Sequence, residues 1–98
     1  MYFLKILEDA ELDWVKLDGG VKEKFSKIIE RRLVEPHISS ARLKGDLAGC
    51  YKIVARKSGH RLVYFVDEEL RTLFVISVGK REEKRVYFVA ARRLSELN

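Results

Sequence analysis

Two β-patterned runs, Cys50–Arg56 and Arg61–Val66, flank the short polar connection Lys57-Ser58-Gly59-His60. Alternating runs rich in β-branched and aromatic residues, joined by a few polar residues that include Gly, specify an antiparallel hairpin. A hairpin constrains a chain strongly, because successive strand residues point to opposite sides. Lys52, Val54 and Arg56 therefore share one side of the first run, and Tyr51, Ile53 and Ala55 the other. In the second run Arg61, Val63 and Phe65 alternate with Leu62, Tyr64 and Val66. Charged groups inside such runs need a reason, since an unpaired charge facing a core is costly to desolvate. Lys52 and Arg61, joined by Arg81 from a third strand, are the candidates for holding a phosphate.

The rest of the chain supplies elements to pack on this hairpin. Tyr2–Leu7 reads as an edge strand, and Asp9 is placed to cap a first helix carrying Ala10, Trp14 and Leu17 at helical spacing. Asp18-Gly19-Gly20 breaks that helix, with Gly19 suited to the left-handed position after its end. Val21, Phe25, Ile28, Ile29 and Leu33 form the apolar stripe of a second helix, which Pro36 ends. The two helices are expected to form an antiparallel pair on the sheet. Residues 37–49 are a polar connection anchored by Leu43. Asp67-Glu68-Glu69 marks a turn into Arg71–Gly79, a run apolar on both sides and so placed centrally. The charged run 80–85 leads into a last helix with Val86, Ala90, Leu94 and Leu97 on one side. The order predicts an α+β domain, a mainly antiparallel sheet of about four strands with helices on one face.

A 98-residue chain with 47% hydrophobic and 36% charged residues suits one ordered globular domain. Residues 1–49 hold nine Lys/Arg against nine Asp/Glu, while residues 50–98 hold eleven against six, so the whole +5 excess lies in the second half. One-sided basic charge points to an anionic partner, nucleic acid before acidic protein, with a solvated basic surface as the plain alternative. The start lacks the apolar run of a signal peptide and no segment approaches membrane-spanning length, so a soluble cytosolic protein without membrane association is expected. The lone Cys50, in a β run, reads as a small buried thiol with no base to activate it. His37 and His60 read as solvated loop histidines with nothing to bring them together. One Cys, two His and no acid at ligand spacing argue against a metal site.

Several stretches together resemble the RelE toxins of bacterial toxin–antitoxin pairs. They are Leu43-Lys44-Gly45, Cys50-Tyr51-Lys52-Ile53, Ser58-Gly59-His60-Arg61-Leu62-Val63-Tyr64, and Val75-Ile76-Ser77-Val78-Gly79-Lys80-Arg81-Glu82 followed by Val86-Tyr87. The resemblance runs from about Trp14 to Leu94 and implies a single RelE-like domain over 1–98. RelE toxins enter the ribosomal A site and cut mRNA there by attack of a ribose 2′-OH on its own 3′ phosphate, without metal or cofactor. The resemblance implies catalytic roles for Lys52, Arg61, Arg81 and Tyr87. It also implies three partners: the 70S ribosome with its 16S rRNA, mRNA, and a cognate antitoxin whose acidic helical segments displace the terminal helix. Val54 stands where the family pattern has a second lysine.

The chemistry agrees with the residue types. Guanidinium forks at Arg61 and Arg81 suit a phosphorane that gains negative charge. Lys52 is the one amine available to take the 2′ proton, with Arg81 or Tyr87 on the leaving-group side. Tyr87 offers a phenol to stack on a base, against the alternative that it packs beside Val86. Lys44, Arg56, Lys57 and Lys80 are the further candidates for RNA or ribosome contact. Alternation assigns Arg81 to the face of Val75 and Ser77, with a one-residue slip scattering the cations. Two other readings stay open: a ParE-like inhibitor of DNA gyrase that cuts nothing, and a catalytically weak RelE homologue that binds antitoxin or ribosome.

Overall fold

The computed structural model describes residues 1–80 and 85–97. In chain order the elements are β1 (Phe3–Ile6), α1 (Glu8–Val15), α2 (Gly19–Val34), β2 (Cys50–Ala55), β3 (His60–Asp67), β4 (Thr72–Lys80) and α3 (Arg85–Leu97). Two single 3-10 turns, Ser39–Ala41 and Gly45–Leu47, break the connection between α2 and β2. The sheet order is β1-β4-β3-β2, with β1 parallel to β4 and the other pairs antiparallel. The doubly apolar run is thus an interior strand, as its pattern requires.

The hairpin forms as expected, one residue shifted at its turn. Gly59 adopts the left-handed conformation at φ 77°, and its amide donates to the Ala55 carbonyl at 2.9 Å. Glycine enters that region at no steric cost.

The helix starts differ from expectation. α1 begins at Glu8 after Leu7, which gives no side-chain cap, and Asp9 lies inside the first turn, where its charge suits the helix dipole. Asp18 caps α2 instead, its carboxylate accepting from the Val21 amide at 3.0 Å, and Gly19 opens that helix. The break between α1 and α2 is therefore a cap, not a left-handed glycine.

Helices cover both faces of the sheet, which corrects the expectation of one helical face. α1 and α2 bury Ala10, Val21, Phe25 and Ile29 against Tyr51, Ile53, Leu62, Tyr64, Leu73 and Val75. On the other side α3 buries Val86, Ala90 and Leu94 against Cys50, Val63 and Ile76, with Leu43 and Phe65 at the margin. Alternation along β3 separates the two cores residue by residue, and each fully buried Leu or Phe contributes roughly 1.5–3 kcal/mol. Interior strands that are apolar on both sides need a cover on both sides.

β4 carries an irregularity. Val63 pairs with Ser77 while Tyr64 pairs with Val75, so Ile76 is an extra residue, a β-bulge. Val75 consequently belongs to the helical-pair core, whereas Ser77 lies opposite Val63 on the α3 side. The expected common face of Val75 and Ser77 does not hold, because the bulge resets the alternation between them.

Candidate RNA-cleaving site

Pairing across the hairpin sets the site. Lys52 lies opposite Val63, and Val54 opposite Arg61, so Lys52 and Arg61 are diagonal neighbours on one face. Diagonal positions on adjacent antiparallel strands stand about 7–8 Å apart, within reach of long side chains. Arg61 in turn pairs with Gly79 on β4. This is the face that α3 covers, for Cys50 and Val63 alternate in phase with Lys52 and Arg61 and both contact that helix's core. Both cations are half-buried, and Val54 between them is half-buried as well.

Tyr87 stands in the first turn of α3, half-buried and packed against the same apolar cluster. The neighbouring Val86 lies over Gly79. The start of α3 therefore meets the strand position paired with Arg61. Arg81 lies outside the described residues; β4 ends one residue after Gly79, at Lys80, the position before it in sequence.

The further basic candidates do not all gather here. Arg56 and Lys57 are exposed in the hairpin turn, but Lys57 lines a recess against the start of α2 with Asp18 and Lys24. Lys80 pairs with His60, which pairs with Ala55, the register opposite to that of Arg61. Lys44 is exposed just before the second 3-10 turn.

Cys50 is fully buried, and burial pushes its thiol up to about 12, so the sulfur stays protonated. That agrees with a core role. His60 is not a solvated loop residue. It opens β3 half-buried, and its Nδ1 is enclosed without a hydrogen-bond partner among the described residues. His37 is also tethered: Nδ1 shares a hydrogen bond of 2.9 Å with the Tyr51 hydroxyl, and Nε2 bonds the Glu68 carboxylate. Tyr2 donates to both Glu68 oxygens, at 2.7 and 2.9 Å, and the Arg71 guanidinium sits over the Tyr2 ring. These partners are 31 and 66 residues from Glu68, beyond the reach of local pattern. Sequence reasoning also missed Arg93, whose Nη1 donates to Asp13 Oδ2 and to the Ile76 carbonyl, each at 2.9 Å. Nothing in the spacing of residues 13, 76 and 93 announces that contact.

Comparison with known proteins bears on this geometry. A family profile described as the ParE toxin of the type II toxin–antitoxin system parDE matches residues 4–85. The mRNA interferase toxin RelE of Escherichia coli K12 is 45% identical over 93 residues, covering 95% of this chain and 97% of that protein. A free, doubly arginine-to-alanine-substituted E. coli RelE superposes with a TM-score of 0.87 at 44% identity, over 95% of this chain and 97% of the other. The toxin in the intact E. coli RelBE toxin–antitoxin complex superposes with a TM-score of 0.80 at 45% identity, over 84% of this chain and 99% of the other. Fold and profile together define a toxin of the type II toxin–antitoxin class. Within that class the chain belongs to the RelE-type toxins.

Proposed function

We propose that this chain is the toxin of a toxin–antitoxin pair and an endoribonuclease that cuts mRNA in the ribosomal A site by metal-independent attack of a ribose 2′-OH on the adjacent phosphate. The observation that carries the reading is the hairpin register, which sets Lys52 and Arg61 diagonally on the face under α3 with Gly79 beside them. The 45% identity to an mRNA interferase supports it from a separate direction.

Each residue has one task. The Arg61 guanidinium grips the non-bridging oxygens as they gain charge, and Arg81 is the second guanidinium for the same task. Lys52 takes the 2′ proton in its neutral form. The 5′ oxygen leaves with a proton from the Arg81 or Tyr87 side, giving a 2′,3′-cyclic phosphate and a free 5′-OH. Tyr87 holds a base against the start of α3, fixing the in-line pose. With so few groups, the chain supplies mainly charge stabilisation, and alignment of the mRNA is left to the A site. Alignment is worth up to roughly 7–11 kcal/mol, so free RNA is a poor substrate. The antitoxin's acidic segments, by displacing α3, remove Tyr87 and cover the cations.

One observation favours a second reading. Val54 lies directly opposite Arg61, where the family pattern has a lysine, so this chain has one amine fewer on the site face. A weak nuclease that still binds antitoxin and ribosome fits that departure. Primer extension on mRNA from a translating extract decides. Cuts within codons on ribosomes, lost in Lys52→Ala and Arg61→Ala, are expected. Intact mRNA with stalled ribosomes supports the weak homologue, and DNA breaks with intact mRNA support a gyrase inhibitor.

A further inference from the structure

Beyond Val75, β4 has no strand neighbour on its outer edge among the described residues, because β1 pairs with it only over Thr72–Val75. α1 and α3 flank that open edge and leave a cleft of about 440 Å³. Its lining includes Lys16, the residue that follows α1, Gly79 and Lys80 of β4, and Arg85, Arg92 and Arg93 of α3, with Asp13 as the one acid among the described lining residues. Arg93 already neutralises Asp13 while it ties α3 to the Ile76 carbonyl. Lys16, Lys80, Arg85 and Arg92 have no acid partner among the described residues and are exposed. Like charges gathered round one cleft repel unless an anion joins them.

We propose that this cleft between α1 and α3 is a second anion site, which holds a backbone phosphate of the RNA strand next to the nucleotide being cut. The proposal rests on reading the chain as an RNA-cleaving protein. Gly79 is the link. It pairs with Arg61 on the site face, where Val86 packs over it, and it also lines the cleft, so the cleft and the site adjoin at one strand position. A volume of about 440 Å³ falls within the range of roughly 300–1,000 Å³ usual for small-ligand sites. RNA is favoured over an acidic peptide by the lining. Its aliphatic residues are Val78, Val86 and Val89, with no aromatic, whereas peptide affinity comes from large buried anchors and phosphate affinity from charge. Of the three guanidiniums in the lining, Arg85 and Arg92 are the two without an acid partner among the described residues, and their forks match phosphate geometry.

The test is fluorescence anisotropy of the full chain with a short single-stranded 2′-O-methyl oligoribonucleotide, which binds but cannot be cut, over a series of salt concentrations. Lys16→Ala with Arg92→Ala is compared with the equally neutralising Lys5→Ala with Lys24→Ala, which lie on β1 and α2; all four residues are exposed. For the cleft pair, affinity is expected to fall roughly tenfold and the log–log salt slope by about 0.7, the loss of one single-strand phosphate contact. The remote pair is expected to change neither. Equal losses in both pairs, or no loss in the cleft pair, overturn the proposal. So does a poly-glutamate peptide that needs Lys16 and Arg92 while the oligonucleotide does not. Because this readout needs no cleavage, a failure of the nuclease reading shows separately, as mRNA cutting that is indifferent to Arg61→Ala.

Discussion

The two faces of the sheet treat polar groups in opposite ways. On the side of α1 and α2 every buried tyrosine hydroxyl has a partner. Tyr64 donates to the Pro36 carbonyl at 2.7 Å and accepts from Arg32 at 3.0 Å, while Tyr51 bonds His37 and stacks on Tyr64 with ring centroids 5.4 Å apart. On the side of α3, Lys52 and Arg61 sit half-buried with no acid partner among the described residues. Satisfied polar groups lock a structure, whereas unpaired cations held in strands cost stability and keep a place for an anion. Both faces carry a buried core, but only the second also sets half-buried cations beside it, the ones proposed to hold the RNA phosphate.

Adjacent residues of β3 give the sharpest way to break that contrast. Leu62 is fully buried on the helical-pair side, and Arg61 faces α3. Leu62→Ala is expected to cost ~2–5 kcal/mol in denaturant unfolding. Arg61→Ala is expected to leave unfolding nearly unchanged while slowing ribosomal mRNA cleavage roughly 10²–10³-fold. If Arg61→Ala unfolds the protein as readily as Leu62→Ala does, the α3 face is structural after all.

How far the sequence could show this follows from the same residues. The hairpin joins strands close in sequence, so alternation placed Lys52 and Arg61 each on one side of its own strand. The register that sets them diagonally on a common face came only with the structure. The Ile76 bulge was invisible because Val75, Ile76 and Val78 are apolar on either phase, and nothing in such a run marks the extra residue. For the same reason a doubly apolar strand demanded two covers without saying which helix lay where. Asp9 and Asp18 offered equal capping chemistry, and only the tertiary entry of each helix chose between them. The contacts of Tyr2 and His37 with Glu68, and of Arg93 with Asp13, join residues that local patterning never compares.

Val54→Lys sharpens the comparison from the α3 side. A second ammonium beside Lys52 adds charge for the phosphorane, so cleavage is expected to rise roughly tenfold. An unchanged rate would mean that position 54 has no part in the chemistry. From the other face, Tyr64→Phe removes two hydrogen bonds in a buried setting and is expected to cost about 1–2 kcal/mol, with cleavage unaffected. A loss of cleavage there would show that the closed face does more than hold the fold.

The smallest effect belongs to the exposed edge of the closed face, at Glu68. Hydrogen bonds from Tyr2 and then His37 hold its carboxyl below the ordinary carboxylate range, with the Arg71 charge helping. The Tyr2 hydroxyl is pushed up in return, chiefly by the bond to Glu68. A carboxylate whose value is lower in the folded chain than in the unfolded one stabilises fully above the unfolded value, and that contribution fades as pH falls through the folded one. Melting temperature compared between the parent and Glu68→Gln should therefore differ most near neutral pH and converge in acid. Salt should shrink the gap only in part, because direct hydrogen bonds carry more of it than the Arg71 charge. A gap that stays constant from neutral to acid pH would assign the role of Glu68 to packing and leave the tether of the connection at His37 without an electrostatic component.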